Sequence, residues 1–227
     1  MSGTDLVFVV IPAYNEGTVV TDVVAGVCRE GVRVVVVDDG SADDTAAAAR
    51  RGGAQVVRHA INLGQGAALQ TGIAHALRSG ASHVVTFDAD GQMDPKEILP
   101  MIAALEQAGA QVALGSRFLG DTVGMPASRR VLLQAARLVN WVFTGLYLSD
   151  AHNGMRAFNR EAALRLRLRQ AGMAHATEVV AQIAQARLRL VEVPVTIRYT
   201  EYSMAKGQRL GNSVHILIDL LLKELLR

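Results

Sequence analysis

The alternation of short apolar runs with longer helix-like segments limits the possible folds of this chain more than any other feature. Five runs of strand length in its first half are rich in valine, isoleucine and alanine. Runs this apolar are typical of strands buried on both faces of a parallel sheet. We therefore predict strands at 6–11, 32–37, 54–58, 83–87 and 111–115 and helices at 16–29, 42–51, 66–79 and 95–108. The predicted fold is α/β, a mostly parallel central sheet flanked by helices.

The pattern becomes mixed after Arg117. We predict a loop at 120–128, a helix at 129–148, a polar turn and short strand at 150–159, helices at 160–169 and 177–187, a β-rich stretch at 188–199 and a loop at 200–208. No repeat or linker divides this part from the first, so one domain is expected over 1–208.

The last segment, 209–227, is predicted to contain a helix at 210–227 with an unusually broad apolar surface. We expect this helix to dock on a membrane surface or on a small membrane-protein partner. A packed core helix or a homodimer seam is the alternative.

Composition excludes several classes of protein. The formal net charge is only +2, from 23 basic and 21 acidic residues, which argues against a nucleic-acid-binding protein. Cys28 is the only cysteine, so neither an intramolecular disulfide nor a multi-cysteine metal site can form. Without an 18-residue apolar segment or a signal-peptide pattern, we expect a cytoplasmic protein, peripheral at the cytoplasmic face of the membrane.

Polar residues follow three of the predicted strands. Pro12, Tyr14 and Glu16 come after the first strand, Asp39 after the second and Asp88 after the fourth. In open parallel sheets, ligands bind beyond the carboxyl ends of the strands. These three loops therefore predict a single site.

Asp88 and Asp90 form the strongest local signal. Alternation along an extended segment would place both carboxylates on one face, and Gly91 and Gln92 would then turn the chain. Hard oxygen ligands suit Mg²⁺ or Mn²⁺, which keep one or two carboxylates and complete their shell with water and phosphates. A bare acidic turn in solvent is the alternative, and the position after a strand favours the metal site.

Two neighbouring features allow two interpretations each. Asp39 could accept hydrogen bonds from a ribose or base, while Ser41 and Asp44 would form a helix-capping box. The glycine-bearing loop at 62–66 could bind a phosphate on its backbone N–H groups, or it could be a turn that packs closely beneath a nucleotide.

Several cations lie on loops around this predicted site. Arg117 follows the fifth strand, Arg129 and Arg130 begin the long helix, and Arg198 and Lys206 flank the loop near the end of the β-rich stretch. Arginine suits bidentate phosphate recognition. Surface salt bridges are the alternative for each residue alone, and the set together predicts a phosphate-binding region.

Seven segments in a fixed order resemble a known family. They are "VIPAYNE", "VVDDGSADDT", "NLGQGAALQTG", "FDADGQMDP", "GSRF", "NGMRAFNR" and "VPVTIRYTEYSMAKG". The chain is similar over about 6–208 to family-2 inverting glycosyltransferases with a GT-A fold. Within that family it resembles the soluble dolichol-phosphate or polyprenyl-phosphate sugar transferases.

The resemblance implies roles for residues at the matching positions. The nucleoside of a GDP- or UDP-linked sugar would contact Pro12, Tyr14, Glu16 and Asp39, and the metal and diphosphate would be bound by Asp88, Asp90 and Gln92. The phosphates would be lined by Arg117, Arg130 and Arg198. Lys206 would lie on a mobile loop that closes over the donor. One position departs from the family, because Gln65 stands where a lysine is common.

The acceptor decides whether a general base is needed. A phosphomonoester with a second pKa near ~6 is already a nucleophile at neutral pH, so a polyprenyl phosphate needs cations to hold it more than it needs a base. If a base is required, Asp150 is the candidate by position, and an ordinary turn residue is its alternative. A transferase acting on a sugar hydroxyl, a sugar nucleotidyltransferase and a catalytically inactive binding module are the competing functions.

Overall fold

A seven-stranded sheet forms the centre of the computed structural model, which describes residues 6–170, 174–200 and 202. The strand order is β3-β2-β1-β4-β6-β5-β7. The strands are β1 (Val7–Ala13), β2 (Arg33–Asp38), β3 (Gln55–Arg58), β4 (His83–Thr86), β5 (Val112–Val123), β6 (Arg156–Asn159) and β7 (Leu190–Arg198). The helices are α1 (Val20–Cys28), α2 (Thr45–Arg51), α3 (Gln65–Arg78), α4 (Ile98–Gln107), α5 (Ala127–Thr144), α6 (Arg160–Arg165) and α7 (His175–Gln185).

Most strand pairs are parallel, which confirms the predicted α/β class. The β1 strand pairs in parallel with β2 and β4, β2 with β3, and β5 with β7. Only β6 runs the other way, between β4 and β5. The carboxyl ends of β1, β2, β4 and β5 therefore share one edge of the sheet with the first residue of β6, Arg156.

Two apolar layers cover the two faces of the sheet. In β1, Val9 and Ile11 face the layer formed with α1, α2 and α4. Phe8 and Val10 face the opposite layer, formed with α3, α6 and α7. This alternation of fully buried side chains explains why the strands read as continuous apolar runs in the sequence.

Four of the predicted boundaries that differ from the structure have a local or long-range physical reason. The predicted loop at 120–128 overlaps β5, whose end pairs with β7 after an irregular stretch, a contact that no local pattern signals. The α5 helix ends early because Gly145 adopts a left-handed conformation (φ 72). The α1 helix begins at Val20, after a turn through Asn15 (φ 53). The α6 helix stops at Arg165 because Leu166 is extended and buried.

Some predictions fall outside the described residues. They are the position of Lys206, the helix at 210–227 and the boundary between 1–208 and 209–227. Within the described ranges, no helix combines the length and apolar character that crossing a bilayer requires.

Candidate functional site

The predicted polar loops do meet at one edge of the sheet. Glu16 lies close enough to raise the pKa of both Asp88 and Asp90, while Arg117 lowers the pKa of Asp88 and Arg129 lowers that of Asp90. The sequence therefore correctly predicted which loops come together.

Asp88 and Asp90 lie in the turn after β4. Asp90 Oδ1 accepts a hydrogen bond from the backbone N–H of Gln92 at 3.1 Å, and Gly91 turns the chain with φ 75. Burial, with the nearby charge of Asp90, raises the pKa of Asp88 to about 7. Burial also raises the pKa of Asp90. The protein groups around these carboxylates therefore neutralise them only partly.

This donor set fits a divalent cation that also binds a phosphate-bearing substrate. Among the described residues there is no group of three or more His, Cys, Asp or Glu side chains that could hold a metal. Mg²⁺ commonly takes only one or two protein carboxylates and completes its octahedron with water and substrate phosphates. A pair of incompletely neutralised carboxylates is consistent with that arrangement.

Gly154 packs directly against Asp88. A Cβ atom at this position would lie 2.3 Å from Asp88 Oδ2, well inside van der Waals contact. The Gly154 carbonyl accepts a hydrogen bond from Thr86 Oγ1 at 2.6 Å, which fixes the loop to the end of β4. Only glycine leaves room for the Asp88 carboxylate here, a role that the sequence analysis did not assign.

Arg156 is a buried cation behind Asp88 that the sequence analysis also missed. Its side chain is 4% exposed, and its Nη2 makes only long hydrogen bonds, to Ala151 O at 3.3 Å and Ala176 O at 3.4 Å. Burial lowers its pKa to about 10, and the charges of Asp88 and Asp150 offset part of that effect. A charged residue at the start of a buried strand must be balanced by other polar or charged groups inside the protein, and this position of Arg156 was the signal that the sequence offered.

Gln65 begins α3 and donates from Nε2 to Asp88 Oδ1 at 3.3 Å. Gly64 precedes it with φ 92, a conformation that glycine adopts without strain. The residue that departs from the family pattern thus contributes a neutral donor to Asp88.

Glu16 is buried and bonded to a distant tyrosine. Tyr202 Oη donates to Glu16 Oε2 at 2.6 Å, and Thr45 Oγ1 accepts from the Glu16 amide at 2.8 Å. Pro12 pairs with Val37 within the sheet, whereas the Tyr14 side chain is 45% exposed. Tyr202 follows β7, so this contact brings the beginning of the predicted 200–208 loop to the site.

Asp39 and the glycine-bearing loop bind each other. Asp39 Oδ1 accepts from the Leu63 amide at 2.9 Å, and Oδ2 accepts from the Gly64 amide at 2.7 Å. His59 Nδ1 lies 2.7 Å from Oδ1 and must carry a proton, because a carboxylate can only accept. These contacts favour the packing interpretation of the loop over phosphate binding by these two amides.

The predicted capping box of Ser41 and Asp44 is not formed. Ser41 Oγ accepts a hydrogen bond from the backbone N–H of Asn15 at 2.9 Å, and the backbone N–H of Ser41 donates to Asp38 Oδ1 at 2.9 Å. Asp44 is the residue that precedes α2, and its side chain makes no capping hydrogen bond. Ser41 therefore ties together the loops after β1 and β2.

Arg117 and Asp150 form a buried ion pair. Arg117 Nε donates to Asp150 Oδ2 at 2.6 Å, and the Arg117 amide donates to the same oxygen at 3.1 Å. Arg117 Nη1 donates to Tyr199 Oη at 2.7 Å. Burial alone would lower the pKa of Arg117, but Asp150 and Tyr199 raise it. Asp150 thus orients Arg117, a contact that neither the general-base interpretation nor the turn interpretation of Asp150 included.

The other predicted cations differ in their surroundings. The Arg129 guanidinium lies 5.2 Å from the centre of the Tyr199 ring and lowers the pKa of Asp90, opposing burial. Arg198 Nη2 is 3.6 Å from Asp94 Oδ2, and the Arg198 amide donates to Gln92 O at 2.8 Å. Arg130 is exposed. A continuous row is therefore formed by Arg117, Tyr199 and Arg129. It lies beside the turn that carries Asp88 and Asp90, which we call the acidic turn.

Comparison with known sequences identifies relatives over nearly the whole chain. An uncharacterised protein of Methanocaldococcus jannaschii is 34% identical over 97% of this chain and 93% of its own length. The UDP-N-acetylglucosamine–dolichyl-phosphate N-acetylglucosaminyltransferase of Methanococcus voltae is 29% identical over 89% of each chain. The polyprenol monophosphomannose synthase of Mycolicibacterium smegmatis is 32% identical over 70% of this chain and 61% of its own.

Solved structures agree on the fold. Glucosyl-3-phosphoglycerate synthase from Mycobacterium tuberculosis, in complex with Mn²⁺, UDP-glucose and phosphoglyceric acid, superposes with a TM-score of 0.72 at 20% identity, over 97% of this chain and 79% of that one. The same enzyme with Mg²⁺ and UDP gives a TM-score of 0.67 at 21% identity, over 92% and 74%. This likeness confirms the GT-A fold. The family profile described as glycosyl transferase family 2 matches residues 8–167, so the chain belongs to glycosyl transferase family 2.

Proposed function

We propose that this glycosyltransferase moves a hexose, with inversion, from a GDP- or UDP-linked donor to a polyprenyl phosphate. The M. voltae relative is named for transfer to dolichyl phosphate, and the M. smegmatis relative for making a polyprenol monophosphosugar. The sugars in those two names differ, so they support the acceptor class more than any particular sugar.

The donor diphosphate would lie against the acidic turn. Asp88 and Asp90, with Gln92, are the residues suited to hold Mg²⁺ or Mn²⁺ there. When bound, the cation would stabilise the charge that develops on the departing nucleoside diphosphate. Pro12, Tyr14 and Glu16 would contact the nucleoside. Asp39 would act there chiefly by holding the loop at Leu63 and Gly64.

The row of Arg117, Tyr199 and Arg129 beside Asp90 is the observation that carries the acceptor assignment. Two anions, the donor diphosphate and the acceptor phosphate, must approach each other during transfer, and guanidinium groups offset their repulsion. Arg130, Arg198 and Lys206 would add to this positive region. Asp150 is committed to Arg117, which suits an acceptor that is itself a nucleophile.

The decisive assay follows radiolabelled sugar from several nucleotide sugars into either an organic-soluble or a water-soluble product. Polyprenyl phosphate and a set of sugar and phosphoglycerate hydroxyl acceptors would be compared, with Mg²⁺, with Mn²⁺ and with EDTA. We expect label in the organic phase only with polyprenyl phosphate and a divalent cation. Label found solely in water-soluble products would refute the acceptor while leaving the family assignment intact.

A variant of Arg129 tests the role of the arginine row. Arg129→Gln should raise KM for the polyprenyl phosphate by about tenfold or more, since a charge-assisted contact is lost, and should change KM for the donor much less. Arg165→Gln is the matched control, because Arg165 is an exposed arginine on α6 whose one ion pair with a described residue is to Glu161, at 2.6 Å. Equal effects of the two substitutions would argue against an acceptor role for Arg129.

A further inference from the structure

Exposed apolar side chains are concentrated in one part of the surface. Of eleven large hydrophobic residues that are exposed in the described structure, seven lie between 119 and 147. This stretch comprises the end of β5, the whole of α5 and the turn after it. Such clustering marks an interaction surface, whereas single exposed hydrophobic residues scattered over a protein do not.

Three exposed apolar residues of α5 form a stripe along the helix. Val131, Leu138 and Val142 are separated by seven and four residues, so they lie on one side of the helix. Their exposures are 70%, 54% and 70%, while Ala136 and Asn140 on the opposite side are buried. We call the three residues the α5 stripe. An outward-facing apolar stripe on a helix otherwise packed against the protein needs a partner.

Two aromatic residues extend this surface. Trp141 and Tyr147 are 44% and 62% exposed, and their rings meet edge to face with centroids 5.6 Å apart. Arg137 Nη2 donates to Tyr147 Oη at 3.0 Å, and its guanidinium lies 5.0 Å from the centre of that ring. Tryptophan, tyrosine and arginine are the side chains that favour the boundary between lipid headgroups and acyl chains.

The charge of α5 indicates the kind of surface that it would meet. The helix contains Arg129, Arg130 and Arg137 and no acidic residue. Two copies of α5 packed about a twofold axis would bring these arginines towards one another, which disfavours a second copy as the partner. An anionic lipid surface complements both the arginines and the apolar stripe.

We propose that the α5 stripe, with Trp141 and Tyr147, docks on the surface of an anionic lipid bilayer. This inference deepens the proposed function and rests on it for its purpose, because a polyprenyl phosphate is itself held in a membrane. Arg129 begins the same helix but faces Tyr199 on the side opposite the stripe, so docking through α5 would place the row of Arg117, Tyr199 and Arg129 about one helix diameter from the headgroups.

The chain contains a built-in reporter of this contact, because Trp141 is its only tryptophan. The full-length protein would be titrated with vesicles of phosphatidylcholine alone and of phosphatidylcholine mixed with phosphatidylglycerol, without donor or acceptor. We expect a blue shift of the emission and quenching by brominated lipid with the anionic vesicles. Both responses should weaken with neutral vesicles and in high salt.

Matched substitutions separate this surface from other routes to the membrane. Leu138→Gln combined with Val142→Gln should reduce vesicle binding, measured by flotation, more than tenfold. Both side chains are more than half exposed, so thermal unfolding should barely change. Leu164→Gln is the control, because Leu164 is also an exposed leucine but lies on α6. Its vesicle binding should equal that of the wild type.

Three outcomes would overturn the proposal. The first is a Trp141 emission spectrum that does not change when anionic vesicles are added. The second is an emission that shifts only with protein concentration, as contact with a second copy would cause. The third is flotation of the double variant equal to that of the wild type. Failure of the proposed function is a separate result, because vesicle binding is measured without turnover. The double variant should transfer sugar normally to detergent-solubilised polyprenyl phosphate and poorly to the same acceptor in vesicles.

Discussion

Gly154→Ala gives a direct test of the geometry proposed for the active site. The new Cβ would lie 2.3 Å from Asp88 Oδ2 and 2.8 Å from Asp88 Cγ and Oδ1. The loop cannot easily retreat, because Thr86 Oγ1 binds the Gly154 carbonyl at 2.6 Å and the Gly115 amide binds the Met155 carbonyl at 2.9 Å. The Asp88 carboxylate must therefore move.

The size of that movement follows from the contact. The separation from Oδ2 has to grow by about 0.7 Å to reach 3.0 Å, the closest approach seen for real Cβ atoms. Metal–ligand distances are kept to within about 0.2 Å, so Asp88 could not bind a cation in the same place as Asp90. A misplacement of about 1 Å in a site of this kind costs on the order of 100-fold in rate.

The assay measures kcat/KM for sugar transfer together with the shift of the melting temperature caused by Mg²⁺. We expect Gly154→Ala to lose about 100-fold in kcat/KM and most of the Mg²⁺-dependent shift. Gly26→Ala is the control: its Cβ would come no closer than 3.3 Å to Pro95 Cγ, and alanine is favoured within α1. A folded Gly154→Ala protein with activity and Mg²⁺ response within twofold of wild type would refute the assignment of Asp88.

Three further predictions concern the carboxylates. Asp90→Asn should abolish both turnover and the metal-dependent part of the melting shift, and an active variant would contradict its role. In the folded protein the pKa of Asp88 is raised to about 7, so the stability that its carboxyl group gives to the metal-free fold is lost as the pH rises through 7. Below pH 7, protons compete with the cation for this carboxylate. The shift in melting temperature caused by Mg²⁺ should therefore be larger at pH 8 than at pH 6. Asp150→Asn should leave the buried Arg117 charge unpaired and lower the free energy of unfolding by about 3–5 kcal/mol, measured by denaturant titration. If Asp150 served only as a general base, the same substitution would abolish activity and leave the free energy of unfolding unchanged.

The strands and the meeting of the acidic loops could be predicted because they depend on local pattern. A parallel strand buried on both faces must be apolar along its length, as Phe8, Val9 and Val10 are. Once β1, β2 and β4 are known to be parallel, geometry alone brings Glu16 and Asp88 to one edge. These inferences need no knowledge of which side chains touch.

The polar partnerships could not be predicted, because each joins residues far apart in sequence. The bonds from Asp39 to the amides of Leu63 and Gly64 span 24 and 25 residues, and the Arg117–Asp150 pair spans 33. A carboxylate or a guanidinium at the edge of the sheet looks the same in sequence whether it binds a ligand or another side chain. Only the folded arrangement separates these roles.

The electrostatics of the acidic turn connect the structural details to the proposed chemistry. Arg156 partly balances Asp88 from behind, and Arg129 partly balances Asp90, yet the pKa of Asp88 still rises to about 7. A lysine in place of Gln65 would supply more positive charge, but this chain has a neutral amide 3.3 Å from Asp88 Oδ1. Burial of the two carboxylates therefore outweighs the neighbouring cations, and the ionised forms of Asp88 and Asp90 are disfavoured without a bound cation. Asp88 and Asp90 would hold a divalent cation that compensates their charge, and Arg129 beside them would be placed to act on a substrate phosphate.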